Sequence, residues 1–131
     1  MADEYTRRLA NQFAVDRTQI DNRRILGDDL ARLREVEHFA YLPTEEAAGR
    51  AVERLESAGF RCSTISYGDT HVVSAVRADA VDEESARYFV REVTGIVSSL
   101  GGDYDGWGAP VVNTRRPLVV IPDSPEEIDW R

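Results

Sequence analysis

Two histidines, one cysteine and a surplus of carboxylates are the side chains of this 131-residue chain that could do chemistry. His38 lies in the run REVEHFAYL, Arg34 to Leu42. An imidazole within reach of Asp105 would make a general base or begin a metal site. His71 is the only other histidine, and no Cys/His cluster surrounds either, so a hydrogen-bonded structural role is the plainer reading of His38. Cys62, between Arg61 and Ser63, would need a neighbouring base and a lowered pKa to act as a nucleophile. The sequence supplies no such signature, and a small half-buried thiol is expected. Asp28 and Asp29, with Glu35 and Glu37, cluster their carboxylates without the spacing of an EF-hand loop or a glycosidase pair. A solvated acidic surface is the default, and it is the surface a basic partner would meet. No phosphate-cradling glycine loop, Ser-His-Asp order or zinc spacing occurs. No catalytic residue, metal or cofactor is therefore assigned, and the chain is expected not to be an enzyme.

The string Asp103-Tyr104-Asp105-Gly106-Trp107-Gly108 has two readings. Tyr and Trp are favoured binding anchors, and the flanking carboxylates could meet an arginine of a partner. Alternatively the glycines permit a turn or bulge while Trp107 plugs the end of the core, and this structural reading is preferred.

These residues need elements to hold them. The stretch Asp3 to Leu26 is rich in helix formers, with Leu9, Phe13 and Ile20 on one loose stripe. Asp16, Thr18 and Asp21 offer local caps that would divide it into two short helices. Gly27-Asp28-Asp29 reads as a turn. Arg34 to Leu42 is a strand, rich in β-branched and aromatic residues and closed by Pro43. Thr44 caps a helix with Glu45 and Glu46 in its first turn, Ala48, Ala51, Val52 and Leu55 on one face, and Gly59 beyond its end. Phe60 to Tyr67 and His71 to Ala78 are strands joined by a short hairpin loop, Gly68-Asp69-Thr70. Asp82 caps a second helix whose stripe Ala86, Phe89, Val90, Val93, Val97 and Leu100 is the strongest amphipathic signal in the chain, and Gly101-Gly102 stops it. A fourth strand falls within Tyr104 to Val112. Pro117 to Ile121 could add an edge strand, and Asp123 to Arg131 is an acidic tail with one aromatic, Trp130.

The order β-α-β-β-α-β is that of a split βαβ sandwich, an α+β fold with an antiparallel sheet and two helices on one face. Phe39, Tyr41 and Tyr67 would then lie on the other face, packed beneath the N-terminal helix or in a dimer contact. They are not accompanied by the aromatic–basic strand motif of RNA-binding sheets.

Composition narrows the partners. The chain has the length of one domain. A single cysteine excludes an internal disulfide and suits a reducing compartment. No apolar run approaches membrane-spanning length, the first residues are acidic where a signal peptide is basic, and a cytoplasmic address is expected. The formal net charge of -8 repels phosphate backbones, so a basic protein segment is the expected partner rather than nucleic acid.

Two segments carry a resemblance. GDDLARLREVEHFAYL, Gly27 to Leu42, has a turn with an acidic pair followed by a strand carrying Val-acidic-His-aromatic, and DYDGWG, Asp103 to Gly108, is a rare string. Together they resemble the RraB family of ribonuclease E inhibitors, over roughly Gly27 to Val112. The resemblance implies a ferredoxin-like fold and a regulator that binds ribonuclease E and lowers its activity without chemistry of its own. It divides the chain into an N-terminal helical segment (1–26), an RraB-like domain (27–112) and a C-terminal extension (113–131). The sequence departs from the best-known member in having only a short acidic DSPEEID where that member carries a long polyacidic tail. On this reading Asp103, Tyr104, Asp105, Trp107, Asp28 and Asp29 are the candidate partner-binding residues. The alternative is an orphan small-molecule-binding or dimerisation module, possible as a homodimer, that uses the open sheet face.

Overall fold

The structure, a computed structural model, describes residues 4–113. The expected edge strand at Pro117 to Ile121, the acidic tail and Trp130 lie outside the described residues.

The run from Glu4 to Ile25 contains no glycine or proline, and it forms one helix, α1 (Glu4–Ile25), rather than two. The expected internal caps do not act as caps, because each has a partner or position within the helix. Asp16 turns inward and accepts from Gln12 Nε2 at 2.8 Å, and Asp21 pairs with Arg24 one turn on. The helix ends at Gly27, whose φ of 81° suits glycine; Asp28 N–H donates back to Arg23 O at 2.9 Å.

Strict alternation makes β1 (Arg34–Leu42): Arg34, Val36, His38, Ala40 and Leu42 are buried, while Glu35, Glu37, Phe39 and Tyr41 face out. Thr44 caps α2 (Glu45–Ser57) by accepting from Ala47 N–H at 3.0 Å. Gly59 (φ 97°) then lets Phe60 N–H return to Leu55 O at 3.0 Å. β2 (Arg61–Tyr67) and β3 (Thr70–Asp79) form a hairpin in which Tyr67 pairs with Thr70, so the loop is only Gly68-Asp69. Asp82 caps α3 (Glu83–Ser99), accepting from Ser85 N–H at 3.1 Å, and β4 (Asp103–Gly108) completes the chain's described elements.

The fold is α+β, with three helices and a four-stranded antiparallel sheet in the order β2-β3-β1-β4. α2 and α3 cover the buried face of the sheet. One apolar cluster joins Ala48, Ala51 and Leu55 of α2 to Ala40, Leu42, Val73 and Val97, and a second joins Ile20 of α1 to Val36, Phe89, Val90 and Trp107. α1 packs on α3 and reaches β4 through Trp107; it does not lie over the outer face of the sheet. The expectation that Phe39, Tyr41 and Tyr67 pack beneath the N-terminal helix is therefore corrected. The polar carboxylate of Asp16 and the guanidinium of Arg23 tie α1 to the β4 end of the molecule instead.

β4 carries the local feature that positions the aromatic string. Ala40 pairs with Tyr104 and His38 with Trp107, so Asp105 and Gly106 together oppose Phe39. Residues three apart on a regular strand point to opposite faces, and this one-residue bulge puts Tyr104 and Trp107 on the same, buried side. Gly106 has φ 101°. A Cβ there would meet nothing closer than 3.8 Å, so the penalty of Gly106→Ala is conformational rather than steric. It should cost about 1–3 kcal/mol in urea denaturation. Gly108→Ala, in the same strand with open space around it and no positive φ, should cost nothing measurable. Equal losses at the two positions would show that the bulge does not depend on glycine.

Candidate functional site

The buried side of the β1–β4 junction holds two polar pairs inside apolar packing, and among the described residues His38 Nε2 and Asp16 Oδ2 have no hydrogen-bond partner. Trp107 is 8 % exposed; its Nε1–H donates to Asp16 Oδ1 at 2.9 Å, its ring meets the Phe89 ring edge-on at 5.1 Å, and Arg23 lies over it at 5.3 Å. His38, 1 % exposed, shares a 2.8 Å hydrogen bond between Nδ1 and the Tyr104 hydroxyl and sits edge-on to Phe60 and Phe89. Burial pushes the Tyr104 phenol up, with the Asp16 charge adding to it, so it stays a hydroxyl. Burial of His38, helped by the Arg77 guanidinium, lowers its pKa to about 3. His38 and Asp105 do not form the dyad that would make a base. His38 points into the core, whereas Asp105 is exposed at the bulge.

The sign of the histidine effect is testable. A folded-state pKa below the unfolded value means that acid favours the unfolded chain. Stability contributed by neutral His38 is complete above the ordinary histidine value and is lost as pH falls below it, by roughly 1.4 kcal/mol per pH unit. Urea midpoints between pH 7 and pH 5 should fall accordingly, and His38→Gln should flatten that slope. An unchanged slope in the variant would assign the acid sensitivity to other groups.

Asp28, expected on an acidic surface, is instead an internal counter-ion. Its side chain is 0 % exposed and lies between Arg34 and Arg23. Arg34 NH1 donates to both carboxylate oxygens at 2.8 Å, Arg23 NH1 donates to Oδ2 at 3.1 Å and Val112 N–H to Oδ1 at 3.3 Å. Burial alone would raise the Asp28 pKa; the donors from Arg34, Arg23 and Val112 outweigh it and hold the carboxyl below its ordinary value. The second positive charge is met by carbonyls: Arg23 NH2 donates to Ala109 O at 2.8 Å, and Arg34 donates to Pro110 O at 3.0 Å and Asp29 O at 2.7 Å. The cluster clamps the end of α1, the start of β1 and the chain leaving β4. Asp29 is half-buried, its N–H donating to Val112 O at 2.7 Å.

Cys62 is half-buried, and burial, with Glu56 adding to it, raises its pKa to about 11, which leaves it a thiol. His71 pairs with Ser66 Oγ at 2.8 Å on the hairpin, away from His38. Among the described residues no group of three or more His, Cys, Asp or Glu side chains is placed to hold a metal ion, and no helix is long and apolar enough to cross a membrane. A cleft of about 260 Å³ between α1, α3 and β4 is lined by Arg8, Gln12, Thr94, Asp103 and Tyr104 among others, and its two charged residues, Arg8 and Asp103, are paired with each other at 2.6 Å.

The outer face of the sheet is the other surface these elements create. It presents Glu35, Glu37, Phe39 and Tyr41 from β1 and Ile65 and Tyr67 from β2, with Asp105 at the bulge; Phe39 is 38 % and Tyr41 43 % exposed. Of the six nominated residues, Asp103 and Asp105 are exposed, Asp29 and Tyr104 half-buried, and Asp28 and Trp107 buried. Asp16, Arg23 and Arg34 join the buried polar clusters without standing out as site residues in the sequence, although the pattern contains a signal. Positions 9, 13, 16, 20 and 23 advance by three or four along one helical stripe, so Asp16 and Arg23 share a face with Leu9, Phe13 and Ile20. Arg34 likewise falls in phase with Val36, Ala40 and Leu42.

Among curated proteins none matches the chain. The family described as regulator of ribonuclease activity B matches residues 14–109. That stretch spans more than half of the chain, contains every strand of the sheet and includes both Gly27 to Leu42 and Asp103 to Gly108. With the buried Asp28 cluster in the first of those segments and the Trp107 bulge in the second, the chain belongs to the RraB family.

Proposed function

We propose that the protein is a non-enzymatic regulator that lowers the activity of a ribonuclease E-type enzyme by docking on it, in the bacterial cytoplasm. The match to regulators of ribonuclease activity over residues 14–109 carries this reading. The net charge of -8 supports contact with a basic protein segment rather than with RNA. Contact of that kind masks the enzyme sterically or shifts its conformation, reducing RNA access. The sheet order β2-β3-β1-β4, with α2 and α3 behind it, supports the ferredoxin-like description of the scaffold. Within the nominated set, the exposed Asp103 and Asp105 suit direct contact, and Asp28, Tyr104 and Trp107 suit holding the strand that presents them.

The test is the RNA-cleavage rate of the host's own ribonuclease E-type enzyme with the purified protein at micromolar excess. A lowered rate whose inhibition weakens as salt rises is the expected result. An unchanged rate removes the reading. A rate lowered equally with RNA-binding proteins of unrelated type, through sequestration of substrate, removes it as well.

A further inference from the structure

The geometry points to the outer face of the sheet, centred on Phe39 and Asp105, as the docking surface for an arginine-bearing segment of another protein. The inference rests on the reading of the chain as a protein-binding regulator and names the face and the chemistry of recognition.

The β1–β4 register supplies the argument. β1 is an inner strand, so its outward side chains run along the middle of the face. The bulge sets Asp105 across the ladder from Phe39, and no hydrogen bond or ion pair reaches the Asp105 carboxylate among the described residues. An exposed ring beside an unpaired carboxylate fits a guanidinium, which stacks on the ring while its N–H groups reach the oxygens. Tyr41 extends the aromatic strip in one direction and Glu37, opposite Gly108, continues the acidic one in the other. On β2, Ile65 is 55 % and Tyr67 72 % exposed, giving apolar contact to the side of the strip.

Charge selects the occupant. The outward positions of the strands include Glu35, Glu37 and Asp105, and their one guanidinium, Arg61, is already paired with Glu35 at 2.9 Å. Such a face repels phosphate, which disfavours RNA despite the aromatics. A second copy placed face to face would bring like carboxylates together, which disfavours self-association. Arginine is preferred to lysine because only its planar fork can stack and bridge at once.

The experiment uses the full chain and a short dye-labelled peptide of repeating arginine and alanine, followed by fluorescence anisotropy. The wild type should bind it, and bind a lysine–alanine counterpart several-fold more weakly. Phe39→Ala and Asp105→Asn should each weaken the arginine peptide about tenfold, while Glu53→Gln, on exposed α2, should not. Both face variants alter exposed side chains, and thermal melts matching the wild type confirm that they fold. Three results overturn the inference: no binding, equal binding by all variants and both peptides (generic charge attraction), or a wild-type dimer in sedimentation that Phe39→Ala dissociates. The ribonuclease assay separates the two proposals. Inhibition by the wild type that survives in both face variants sinks this face and leaves the regulator standing. Absence of any inhibition sinks the regulator, while the peptide titration still judges the face.

Discussion

Asp28→Asn should destabilise the fold by about 3–5 kcal/mol, the usual cost of removing one partner from a buried ion cluster. The substitution keeps size and one acceptor but leaves two guanidinium groups, Arg34 at 2 % and Arg23 at 8 % side-chain exposure, without a counter-ion. Carbonyls of Ala109, Pro110 and Asp29 solvate those cations but do not neutralise them. The loss should appear as a lower urea midpoint with an unchanged m-value, because the native and unfolded surfaces stay the same. It should also depend on pH. The Asp28 pKa is lowered in the fold, so its stabilisation is complete above the unfolded-chain value of about 3.9 and is lost as pH falls through the lowered value. The gap between wild type and variant should therefore be full at neutral pH and close in strong acid. Asp103→Asn is the comparison: its ion pair with Arg8 is exposed, and its loss should cost no more than about 1 kcal/mol. If the two variants lose equally little, Asp28 belongs to the solvated acidic surface after all and the clamp is not formed in solution.

Trp107→Ala should cost about 3–5 kcal/mol through the cavity it opens beside Phe89 and Ile20. A second contribution comes from Asp16. Among the described residues its Oδ2 has no hydrogen-bond partner, and Oδ1 would keep only the Gln12 amide once the indole N–H is gone. Trp107→Phe separates the two contributions, since it retains most of the ring packing and removes the donor; it should cost about 1–3 kcal/mol. Burial raises the Asp16 pKa, against the hydrogen bonds from Gln12 and Trp107 that lower it, so losing the indole raises it further. A raised folded-state pKa means that stability falls as pH rises through it. The Trp107→Phe deficit should thus be full at neutral pH and shrink as pH falls through the raised Asp16 value, which a denaturation series from neutral into acid reads directly. A deficit independent of pH would mean that Asp16 is not the affected group. The same geometry warns against Trp107→Ala in partner-binding assays: lost binding there would report a damaged core, whereas Asp105→Asn changes only an exposed side chain.

Much of the scaffold was legible because it is written in short-range patterns. The bounds of β1, the caps Thr44 and Asp82, the turn at Gly59 and the stripe from Ala86 to Val97 each follow from alternation, capping chemistry or helical spacing within a few residues. Asp16 and Asp21 have the chemistry of caps, so local pattern reads two helices where there is one, and only their partners show that α1 runs through them. The string DYDGWG announced a bulge through its glycines, but not which face its aromatics would take. That depends on the register with β1, which places Tyr104 opposite Ala40 and Trp107 opposite His38.

Residue type and local spacing set the elements, their order, the acidic balance and the two segments that resemble the family. Which charges lie at the surface and which inside follows from the packing of the folded chain. Asp28 and Asp105 are both aspartates next to a glycine, yet one is sealed between Arg23 and Arg34 and the other stands exposed opposite Phe39, its carboxylate without a partner among the described residues. The two guanidiniums stand only five and six residues from Asp28 in the chain, but the cluster is closed by the Ala109 and Pro110 carbonyls and the Val112 N–H, 76 to 86 residues from their partners, which no local pattern records.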